Sequence, residues 1–309
     1  MSKVEKVIII GSGPAGYTAA LYTSRALLNP LMFEGEEVGG QLMLTSDVEN
    51  YPGFPEGITG PEMMEIFRKQ AGRFGTRFES KNVTKVDFST RPFKVWEGQN
   101  LFETQSVIIA TGASAKYLGL ESEKKFMSKG VSACATCDGA FFRNMNVAVI
   151  GGGDTAMEEA SFLTRFAKKV YLIHRRDVFR SSKIMLEKVK NNPKIEIRVN
   201  ETVDEVLGGK VVEKLKIRNT VTNQLSELAV EGMFLAIGHK PNTEIFKGLL
   251  ELNEVGYIKP KAGTSYTSVA GVFAAGDVQD PHYRQAITAA GSGCMAAIDC
   301  ERWLEKQGE

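Results

Sequence analysis

One pattern constrains the fold of this chain more than any other feature. The segment Val4–Ile10, which ends in the apolar run Val7–Ile10, leads into Gly11-Ser-Gly-Pro-Ala-Gly16, and an apolar stretch from Ala15 to Leu28 follows. A short apolar run, a glycine turn and a longer apolar stretch predict a buried β-strand, a tight turn and an α-helix. Strand, glycine turn and helix in this order form the fingerprint of a dinucleotide-binding unit.

The same pattern recurs later in the chain. Asn146–Ile150 is a second apolar run, followed by Gly151-Gly-Gly-Asp-Thr-Ala156 and a predicted helix from Thr155 to Phe166. The sequence therefore predicts an internal duplication, with two nucleotide-binding units of the α/β class in one chain.

The first unit has an acid at the position that selects the ribose. Pro30–Phe33 is predicted as the next strand, and Glu34 follows it, 23 residues after Gly11. An acid at this position accepts hydrogen bonds from ribose hydroxyls, while the glycines allow a pyrophosphate to approach the backbone at the helix N-terminus. We therefore expect an adenine dinucleotide without a 2′-phosphate here.

The second unit differs at the same position. Lys169–Ile173 is the following strand, and counting 23 residues from Gly151 reaches His174, which opens His174-Arg-Arg-Asp-Val-Phe-Arg180. Arg175, Arg176 and Arg180 in place of an acid suit a 2′-phosphate, which arginine binds in a bidentate manner. This pattern favours NADP(H), and the alternative is a solvated basic turn.

Between the two fingerprints lies Cys134-Ala-Thr-Cys137-Asp138. Two cysteines at this spacing can store two electrons as thiols and release them on forming a disulfide. Zinc would need four ligands, and a purely structural disulfide is disfavoured in a reducing compartment. Asp138 either transfers a proton to a departing thiolate or caps the next turn. Cys294 and Cys300 are interpreted as small buried apolar residues.

Composition excludes several classes of protein. The chain has 309 residues, 43% of them apolar, and a formal net charge of +1, which gives no indication of nucleic acid or membrane surfaces as partners. The N-terminal residues predict no signal peptide, and four cysteines are too few for a disulfide framework. A cytoplasmic protein with a working dithiol is expected, with no metal site.

The C-terminal part completes the predicted first unit. A strand over Ser268–Ala275 ends at Gly276-Asp277, and Asp277 either caps a turn or binds a ribityl hydroxyl of a flavin. A last helix is predicted from about Arg284 to Lys306. Gly291 and Gly293 inside it are interpreted as positions of close packing, because glycine lowers intrinsic helicity.

These motifs, taken together, resemble those of one known family. The chain is similar from Val4 to about Trp303 to bacterial-type, low-molecular-weight thioredoxin reductases, and the Cys-Ala-Thr-Cys motif between two nucleotide fingerprints is the specific feature. Lys129 departs from the arginine that is common before the cysteines in relatives, which bears on partner docking and not on the chemistry. The quoted motifs that carry the resemblance are Gly11–Gly16, Gly39–Leu42, Ala110–Gly112, Cys134–Asp138, His174–Arg176 and Ala275–Asp277.

The resemblance implies a fold of two Rossmann-like, three-layer nucleotide-binding domains, with an NADPH domain inserted into an FAD domain. The expected FAD domain comprises 1–115 and 243–309, and the NADPH domain with the cysteines comprises 116–242. The FAD contacts implied are Gly11, Ser12, Gly13, Pro14, Ala15, Gly16, Glu34, Gly40, Gln41, Asn50, Thr111, Gly112, Gly276, Asp277, Arg284, Gln285 and Ala286. The NADPH contacts implied are Gly153, Asp154, Thr155, Ala156, His174, Arg175, Arg176 and Arg180.

The resemblance also implies a reaction. NADPH reduces FAD, FAD reduces the Cys134–Cys137 disulfide, and the dithiol reduces thioredoxin, with Cys137 facing the flavin, Cys134 attacking the partner and Asp138 carrying the proton. Rotation of the inserted domain between half-reactions and a homodimer are implied as well. The alternatives are flavoenzymes of the same build with another partner, or a nucleotide sensor that uses the cysteines as a switch. Among the flavoenzymes, the absence of an extra N-terminal domain disfavours a peroxidase-linked reductase, and the NADP-type arginines disfavour a thiol oxidase that passes electrons to oxygen.

Overall fold

The computed structural model describes residues 4–45 and 47–308. Its α-helices are α1 (Pro14–Arg25), α2 (Gly60–Arg73), α3 (Glu121–Lys125), α4 (Ala135–Asp138), α5 (Asp154–Leu163), α6 (Lys183–Lys190) and α7 (Ala286–Gln307). Its strands are β1 (Val4–Ile10), β2 (Leu31–Phe33), β3 (Asp47–Val48), β4 (Ile58–Thr59), β5 (Arg77–Glu79), β6 (Lys85–Asp87), β7 (Phe93–Glu97), β8 (Asn100–Ile109), β9 (Ala113–Ala115), β10 (Val131–Ser132), β11 (Asn146–Ile150), β12 (Lys169–His174), β13 (Ile195–Val199), β14 (Glu201–Leu207), β15 (Lys214–Asn219), β16 (Leu225–Ala229), β17 (Gly232–Leu235), β18 (His239–Pro241) and β19 (Val272–Ala274).

The chain forms two compact units. The first combines the chain up to Ser114 with the chain from Lys240 onward, and the second is Ala115–His239. The two connecting segments pair with one another as β9 and β18 in a short two-stranded sheet. One continuous segment is thus inserted into a unit that the rest of the chain builds.

The first unit is built on a sheet whose core is parallel. The strand order is β5-β2-β1-β8-β7-β6, and β19 pairs with β8 on a separate branch. Val7 and Ile9 of β1 face a core that includes α1 and α7, whereas Ile8 and Ile10 face a core with β6 and β7. Because neighbouring strand residues point to opposite faces, four consecutive apolar residues such as Val7–Ile10 must be covered on both sides of the sheet.

The second unit repeats this plan. Its sheet, β10-β17-β11-β12-β13, is parallel throughout. Val147 and Val149 of β11 pack towards α5 and α6, while Ala148 and Ile150 pack towards the antiparallel sheet β14-β15-β16. The three layers are therefore helices, a parallel sheet and an antiparallel sheet, and the predicted α/β class is confirmed.

Two glycines of α7, Gly291 and Gly293, are predicted from the sequence to be positions of close packing. A Cβ atom at Gly293 would lie 2.2 Å from the carbonyl oxygen of Ala15, so α7 and α1 approach closely there, as expected. The interpretation of Gly291 is wrong, because a Cβ atom there would meet nothing within 4 Å and the residue is exposed. The two glycines lie on different faces of α7, and only one face is packed.

A strand predicted over Ser268–Ala275 is shorter than expected. Only Val272–Ala274 forms a strand, because Val272 donates its N–H to the carbonyl oxygen of Val269 and closes a turn immediately before it. Among the described residues, no helix is both long enough and apolar enough to cross a bilayer.

Candidate active site

The first glycine turn is tightly packed at two glycines and open at the third. A Cβ atom at Gly11 would lie 2.2 Å from the carbonyl oxygen of Ala110, and one at Gly16 would lie 2.0 Å from that of Gly11. A Cβ atom at Gly13 would meet no described atom within 4 Å. Gly13 is also the N-cap of α1 and carries no side-chain cap. An uncapped helix N-terminus beside open space fits a pyrophosphate, as the predicted FAD site requires.

Ser12 ties this turn to a second glycine segment. Its hydroxyl donates to the carbonyl oxygen of Glu34 at 2.6 Å and accepts the N–H of Gly39 at 2.9 Å. A Cβ atom at Gly40 would lie 3.4 Å from the Cα of Gly13, and Gly40 has a φ of +65°. The structure thereby brings the segment that begins at Gly40, and with it Gln41, beside the first turn.

The carboxylate of Glu34 is buried and bound by three side chains. Oε1 accepts hydrogen bonds from the Tyr17 hydroxyl at 2.8 Å and the Arg68 Nε at 2.7 Å. Oε2 accepts from the Arg68 Nη2 at 3.1 Å and the Ser80 hydroxyl at 3.0 Å. Burial alone would raise the pKa of Glu34, but the hydrogen bonds from Arg68, Tyr17 and Ser80 outweigh it and lower the pKa.

This network bears on the predicted ribose contact. A carboxylate offers about four lone-pair positions, and four hydrogen bonds already reach Glu34. A ribose hydroxyl bound to Glu34 would therefore share or replace one of them. The ribose contact of Glu34 stays a prediction, while its role as the anchor for Arg68 is a finding.

The remaining predicted FAD residues come from distant parts of the sequence. The Asn50 side chain donates to the Gln285 side-chain oxygen at 3.3 Å. Gly276 lies against Ala15, since a Cβ atom added at Gly276 would lie 2.8 Å from the Cβ of Ala15. Burial raises the pKa of Asp277 to about 7, Asp280 adds to this, and Arg284 opposes it.

Two further predicted residues lie at the junction of the chain segments of the first unit. Thr111 donates its hydroxyl to the carbonyl oxygen of Asn242, and the Asn242 side chain donates to the carbonyl oxygen of Thr111, both at 2.8 Å. The Asn242 N–H donates to the carbonyl oxygen of Gly112 at 3.0 Å.

The predicted residues of the C-terminal segment lie at the start of α7. The Asp280 carboxylate accepts the N–H of Arg284 at 3.3 Å, and Arg284 precedes Gln285 and Ala286.

The second glycine turn has the same construction as the first. A Cβ atom at Gly151 would lie 2.4 Å from the carbonyl oxygen of Ala236, whereas one at Gly153 would meet nothing within 4 Å. Gly153 is the N-cap of α5, again without a side-chain cap. Thr155 and Ala156 lie in the first turn of that helix, as predicted for a second nucleotide site.

The segment His174–Arg180, called the arginine segment below, and the residues after it are hydrogen-bonded to this turn and to α5 through their backbone. Arg180 donates its N–H to the carbonyl oxygen of Gly152 at 2.8 Å, and Ser182 donates its N–H to the Asp154 carboxylate at 2.7 Å. The His174 ring stacks on Phe179 with centroids 4.9 Å apart.

The electrostatics of the same segment favour an anion. Arg175, Arg176 and Arg180 are exposed. Burial lowers the pKa of His174, the carbonyl oxygen of Val178 opposes the shift, and the three arginines lower the pKa further. The Ser181 hydroxyl is buried and has no hydrogen-bond partner among the described residues. Exposed guanidinium groups and a buried hydroxyl without a partner fit a bound phosphate.

The cysteine pair is closed as a disulfide on one helical turn. The S–S distance of Cys134 and Cys137 is 2.09 Å, and their Cα atoms are 5.3 Å apart. Cys134 is the N-cap of α4, and its carbonyl oxygen accepts the N–H groups of Cys137 and Asp138 at 3.2 and 3.1 Å. Cys134 is half-buried and Cys137 is exposed.

Asp138 ends the same helical turn. Burial raises the pKa of its carboxyl group, and a hydrogen bond from the Ser132 side chain partly lowers it. A carboxyl group with a raised pKa holds a proton at higher pH than a solvated one, which suits transfer to a thiolate.

A profile of the family described as pyridine nucleotide-disulphide oxidoreductase matches residues 5–293 of the chain. The chain belongs to this family.

Individual relatives within the family match nearly the full length. The chain is 56% identical to "Thioredoxin reductase 2" of Arabidopsis thaliana, over 98% of this chain and 83% of that protein. It is 54% identical to "Thioredoxin reductase" of Mycolicibacterium smegmatis, over 98% of both chains. The solved structure "Thioredoxin reductase from Giardia duodenalis" superimposes with a TM-score of 0.93 at 46% identity, covering 97% of this chain and 98% of that one.

The other two cysteines of this pyridine nucleotide-disulphide oxidoreductase differ from each other. Cys300 is fully buried, and burial raises the pKa of its thiol to about 12. Cys294 is only half-buried, so the expectation that both are buried is correct for Cys300 alone. Within the described residues, no cluster of three or more His, Cys, Asp or Glu side chains is placed to hold a metal ion.

Sequence reasoning missed four residues of the two sites. Arg68, Tyr17 and Ser80 complete the Glu34 network, and Ser132 contacts Asp138. Arg68 and Ser80 lie 34 and 46 residues from Glu34, and no local pattern marks them. Ser132 lies only two residues before Cys134, and its position beside the cysteine motif was the available indication.

Proposed function

We propose that this chain is an NADPH-dependent thioredoxin reductase. Bound FAD supplies a two-electron relay between NADPH and a disulfide. The observation that carries the proposal is the closed Cys134–Cys137 disulfide on one helical turn, in the same compact unit as a glycine turn flanked by arginines. Relatives of nearly the same length that are named thioredoxin reductase support the choice of thioredoxin as partner.

The two nucleotides bind to different units. The open glycine turn at Gly13 and the segments at Gly40, Gly112, Gly276 and Arg284 hold FAD in the first unit. The turn at Gly153 holds the pyrophosphate of NADPH in the second unit. Arg175, Arg176 and Arg180 bind its 2′-phosphate, which an acid at the same position would repel. The FAD domain then corresponds to the first unit and the NADPH domain to the second, Ala115–His239, which differs by one to three residues from the limits 1–115, 116–242 and 243–309 expected from the resemblance.

The cysteines carry the electrons to the protein substrate. The thiolate of Cys134 attacks a sulfur of the thioredoxin disulfide and forms a mixed disulfide. Cys137 then attacks the sulfur of Cys134, so the internal disulfide closes and thioredoxin leaves with two thiols. Asp138 removes the proton from Cys137 in this step and returns one when the disulfide is reduced again.

The proposed reaction includes a movement of the second unit. The disulfide and the arginine segment belong to the same unit, Ala115–His239, while the FAD residues belong to the other. Both the disulfide and the nicotinamide must reach the flavin. Rotation of the second unit about the paired connections β9 and β18 would allow the two to alternate.

The setting of the protein is inferred from the same chemistry. A dithiol that must be reduced in every cycle suits the reducing cytoplasm. The working assembly is a homodimer, with no nucleic acid and no membrane as partner.

The assay that tests the proposed function measures NADPH oxidation by the purified protein with oxidised thioredoxin and insulin. Turnover is expected with NADPH and at a far lower rate with NADH. Cys134→Ser and Cys137→Ser should both abolish turnover, and each should still consume one equivalent of NADPH per FAD. A protein that oxidises NADPH at the same rate with and without thioredoxin would contradict the proposal and favour another electron acceptor.

A further inference from the structure

Ser132 lies between the two groups that carry the thiol chemistry, although the reaction described above assigns it no role. It is the last residue of β10 and only 6% exposed. Its Oγ accepts the backbone N–H of Cys134 at 3.0 Å, and its side chain also hydrogen-bonds to the carboxylate of Asp138. A single hydroxyl therefore contacts both ends of the helical turn that bears the disulfide.

The two contacts are compatible with the chemistry of one hydroxyl. A serine hydroxyl has one O–H donor and two acceptor positions. The N–H of Cys134 uses an acceptor position, which leaves the O–H for the carboxylate of Asp138. The other acceptor near the O–H is the carbonyl oxygen of Cys134, at the longer distance of 3.4 Å. An ionised carboxylate is the stronger acceptor, so the O–H bond to Asp138 is favoured.

The backbone at Ser132 is held independently of the site. β10 is paired with β17 in the parallel sheet, with Ser132 opposite Phe234. The hydroxyl thus connects α4, the turn that changes chemically in each cycle, to the core of the sheet.

We propose that Ser132 is a positioning residue that uses its hydroxyl to hold the backbone at Cys134 and to orient the carboxylate of Asp138. This inference rests on the proposed function in taking Asp138 as the proton carrier. Because the O–H donates to the charged form, Ser132 favours ionised Asp138 and opposes the effect of burial. Without the hydroxyl, Asp138 would hold its proton to higher pH.

Charged groups also lie on the elements next to α4. Helix α5, which packs against α4, carries Asp154, Glu158 and Glu159, and Arg143 follows the 3-10 helix Gly139–Phe142. Burial raises the pKa of Asp138, and the hydrogen bond from Ser132 opposes that shift.

The test isolates the thiol step from NADPH and thioredoxin. Dithiothreitol reduces the internal disulfide when its thiolate attacks Cys134 and the S–S bond breaks. The electron pair leaves on Cys137, which takes a proton from Asp138. The second dithiothreitol thiol then closes its own ring and releases Cys134, so dithiothreitol is oxidised and the protein gains two thiols. Alkylation and mass spectrometry count these thiols over time in the purified flavoprotein.

The rate at which the Cys134–Cys137 disulfide is reduced is divided by the concentration of dithiothreitol thiolate at each pH. This corrected rate should fall as pH rises through the pKa of Asp138, because the protonated form of Asp138 is lost. In Ser132→Ala the midpoint of this fall should move up by about one pH unit, the size expected for the loss of one hydrogen bond to a charged group. Ser132→Thr retains a hydroxyl and should retain the wild-type midpoint. Ser132→Gly also lacks the hydroxyl and serves as the deletion variant if the alanine protein does not fold.

The control for the assignment is Asp138→Asn, which should lose the pH-dependent fall altogether. The proposal is overturned if the hydroxyl-free variant keeps the wild-type midpoint or moves it to lower pH. It is equally overturned if Asp138→Asn retains the fall. Because neither NADPH nor thioredoxin is present, these results stand whether or not the protein reduces thioredoxin.

Discussion

At the scale of single residues, Glu34 has a structural role that its position in the sequence does not suggest. Its buried carboxylate gathers Tyr17 from α1, Arg68 from α2 and Ser80 from the end of β5, so it joins three elements. Arg68 also lies over the ring of Phe78, 4.5 Å from the ring centroid. A charge that is removed from water and fully hydrogen-bonded is costly to leave without its partners.

The structural role of Glu34 can be measured by Glu34→Gln. Glutamine keeps the shape but loses the charge and places an amide NH₂ against donors, so unfolding free energy should fall by roughly 2 kcal/mol. Glu65→Gln is the matched control on α2, because Glu65 forms an exposed ion pair with Lys69 and should change stability by less than about 0.5 kcal/mol. Urea denaturation of both variants gives the comparison.

The same pair of variants gives a pH dependence. The pKa of Glu34 is lowered in the folded protein, so its contribution is complete above the unfolded value of about 4.3 and is lost as pH falls through the folded pKa. Glu34→Gln should therefore destabilise at neutral pH and converge on the wild type in acid. Equal stabilities of wild type and Glu34→Gln at neutral pH would contradict this account.

At the scale of secondary-structure elements, the two glycine turns have the same local structure. In both, the first glycine is closed by a carbonyl oxygen, and the N-cap glycine, Gly13 or Gly153, faces open space. The two units differ after the strand that follows the helix of the glycine turn: β2 leads into a buried acid and β12 into an exposed arginine segment. We therefore propose that nucleotide specificity depends on the segments that follow β2 and β12, since the turn itself is common to both units.

This difference can be tested on the arginine segment. Replacing both Arg175 and Arg176 by alanine should weaken NADPH binding by about 10- to 100-fold, from the loss of charged hydrogen bonds to phosphate. NADH binding should change little, because NADH has no 2′-phosphate. Arg165→Ala, just beyond the C-terminal end of the neighbouring α5, is the control that removes a single arginine charge elsewhere in the unit. Equal losses for both nucleotides, measured by fluorescence titration, would contradict the phosphate assignment.

The glycines of α7 provide a second test at this scale. Gly293→Ala should destabilise the protein by about 1–3 kcal/mol, because its Cβ would collide with the Ala15 carbonyl oxygen. Gly291→Ala should stabilise it by up to about 1 kcal/mol, because alanine favours the helix and the position is open. Thermal denaturation of the pair measures both effects, and opposite signs are the expected outcome.

The sequence predicted best those elements whose determinants are local. Strands β1 and β11 begin and end as predicted, and in each case four consecutive apolar residues at the end of the strand stop at a glycine. Helix α6 and the edge strand β13 were not identified. In Ile195–Val199, charged residues alternate with apolar ones and are only partly buried, so the hydrophobic signature is weak. The Glu34 network was unpredictable because its members meet only through tertiary packing.

At the scale of the whole molecule, the two units of the chain carry different groups of the proposed reaction. The second unit contains both the redox disulfide and the arginine segment, and the first contains the residues proposed to hold FAD. The paired strands β9 and β18 are the two places where the chain passes between the units. A mechanism in which both groups use one flavin in turn must act through these connections.

Covalent cross-linking of the two units tests this requirement. A cross-link between the units, verified by peptide mapping, should stop steady-state thioredoxin reduction because the second unit can no longer rotate. FAD should remain bound, as its absorbance would report. A cross-link within the second unit alone is the control and should leave turnover unchanged. Full turnover of a verified inter-unit cross-linked protein would contradict the rotation.

The most direct test of the central claim is to monitor the state of Cys134 and Cys137 through one cycle. Under anaerobic conditions, NADPH is added to the purified flavoprotein, the reaction is quenched with an alkylating reagent, and labelled cysteines are located by mass spectrometry. We predict that NADPH makes both cysteines available for labelling and that subsequent oxidised thioredoxin removes this labelling while gaining thiols itself. Failure of NADPH to expose the pair, or labelling that persists in excess oxidised thioredoxin, would contradict the account.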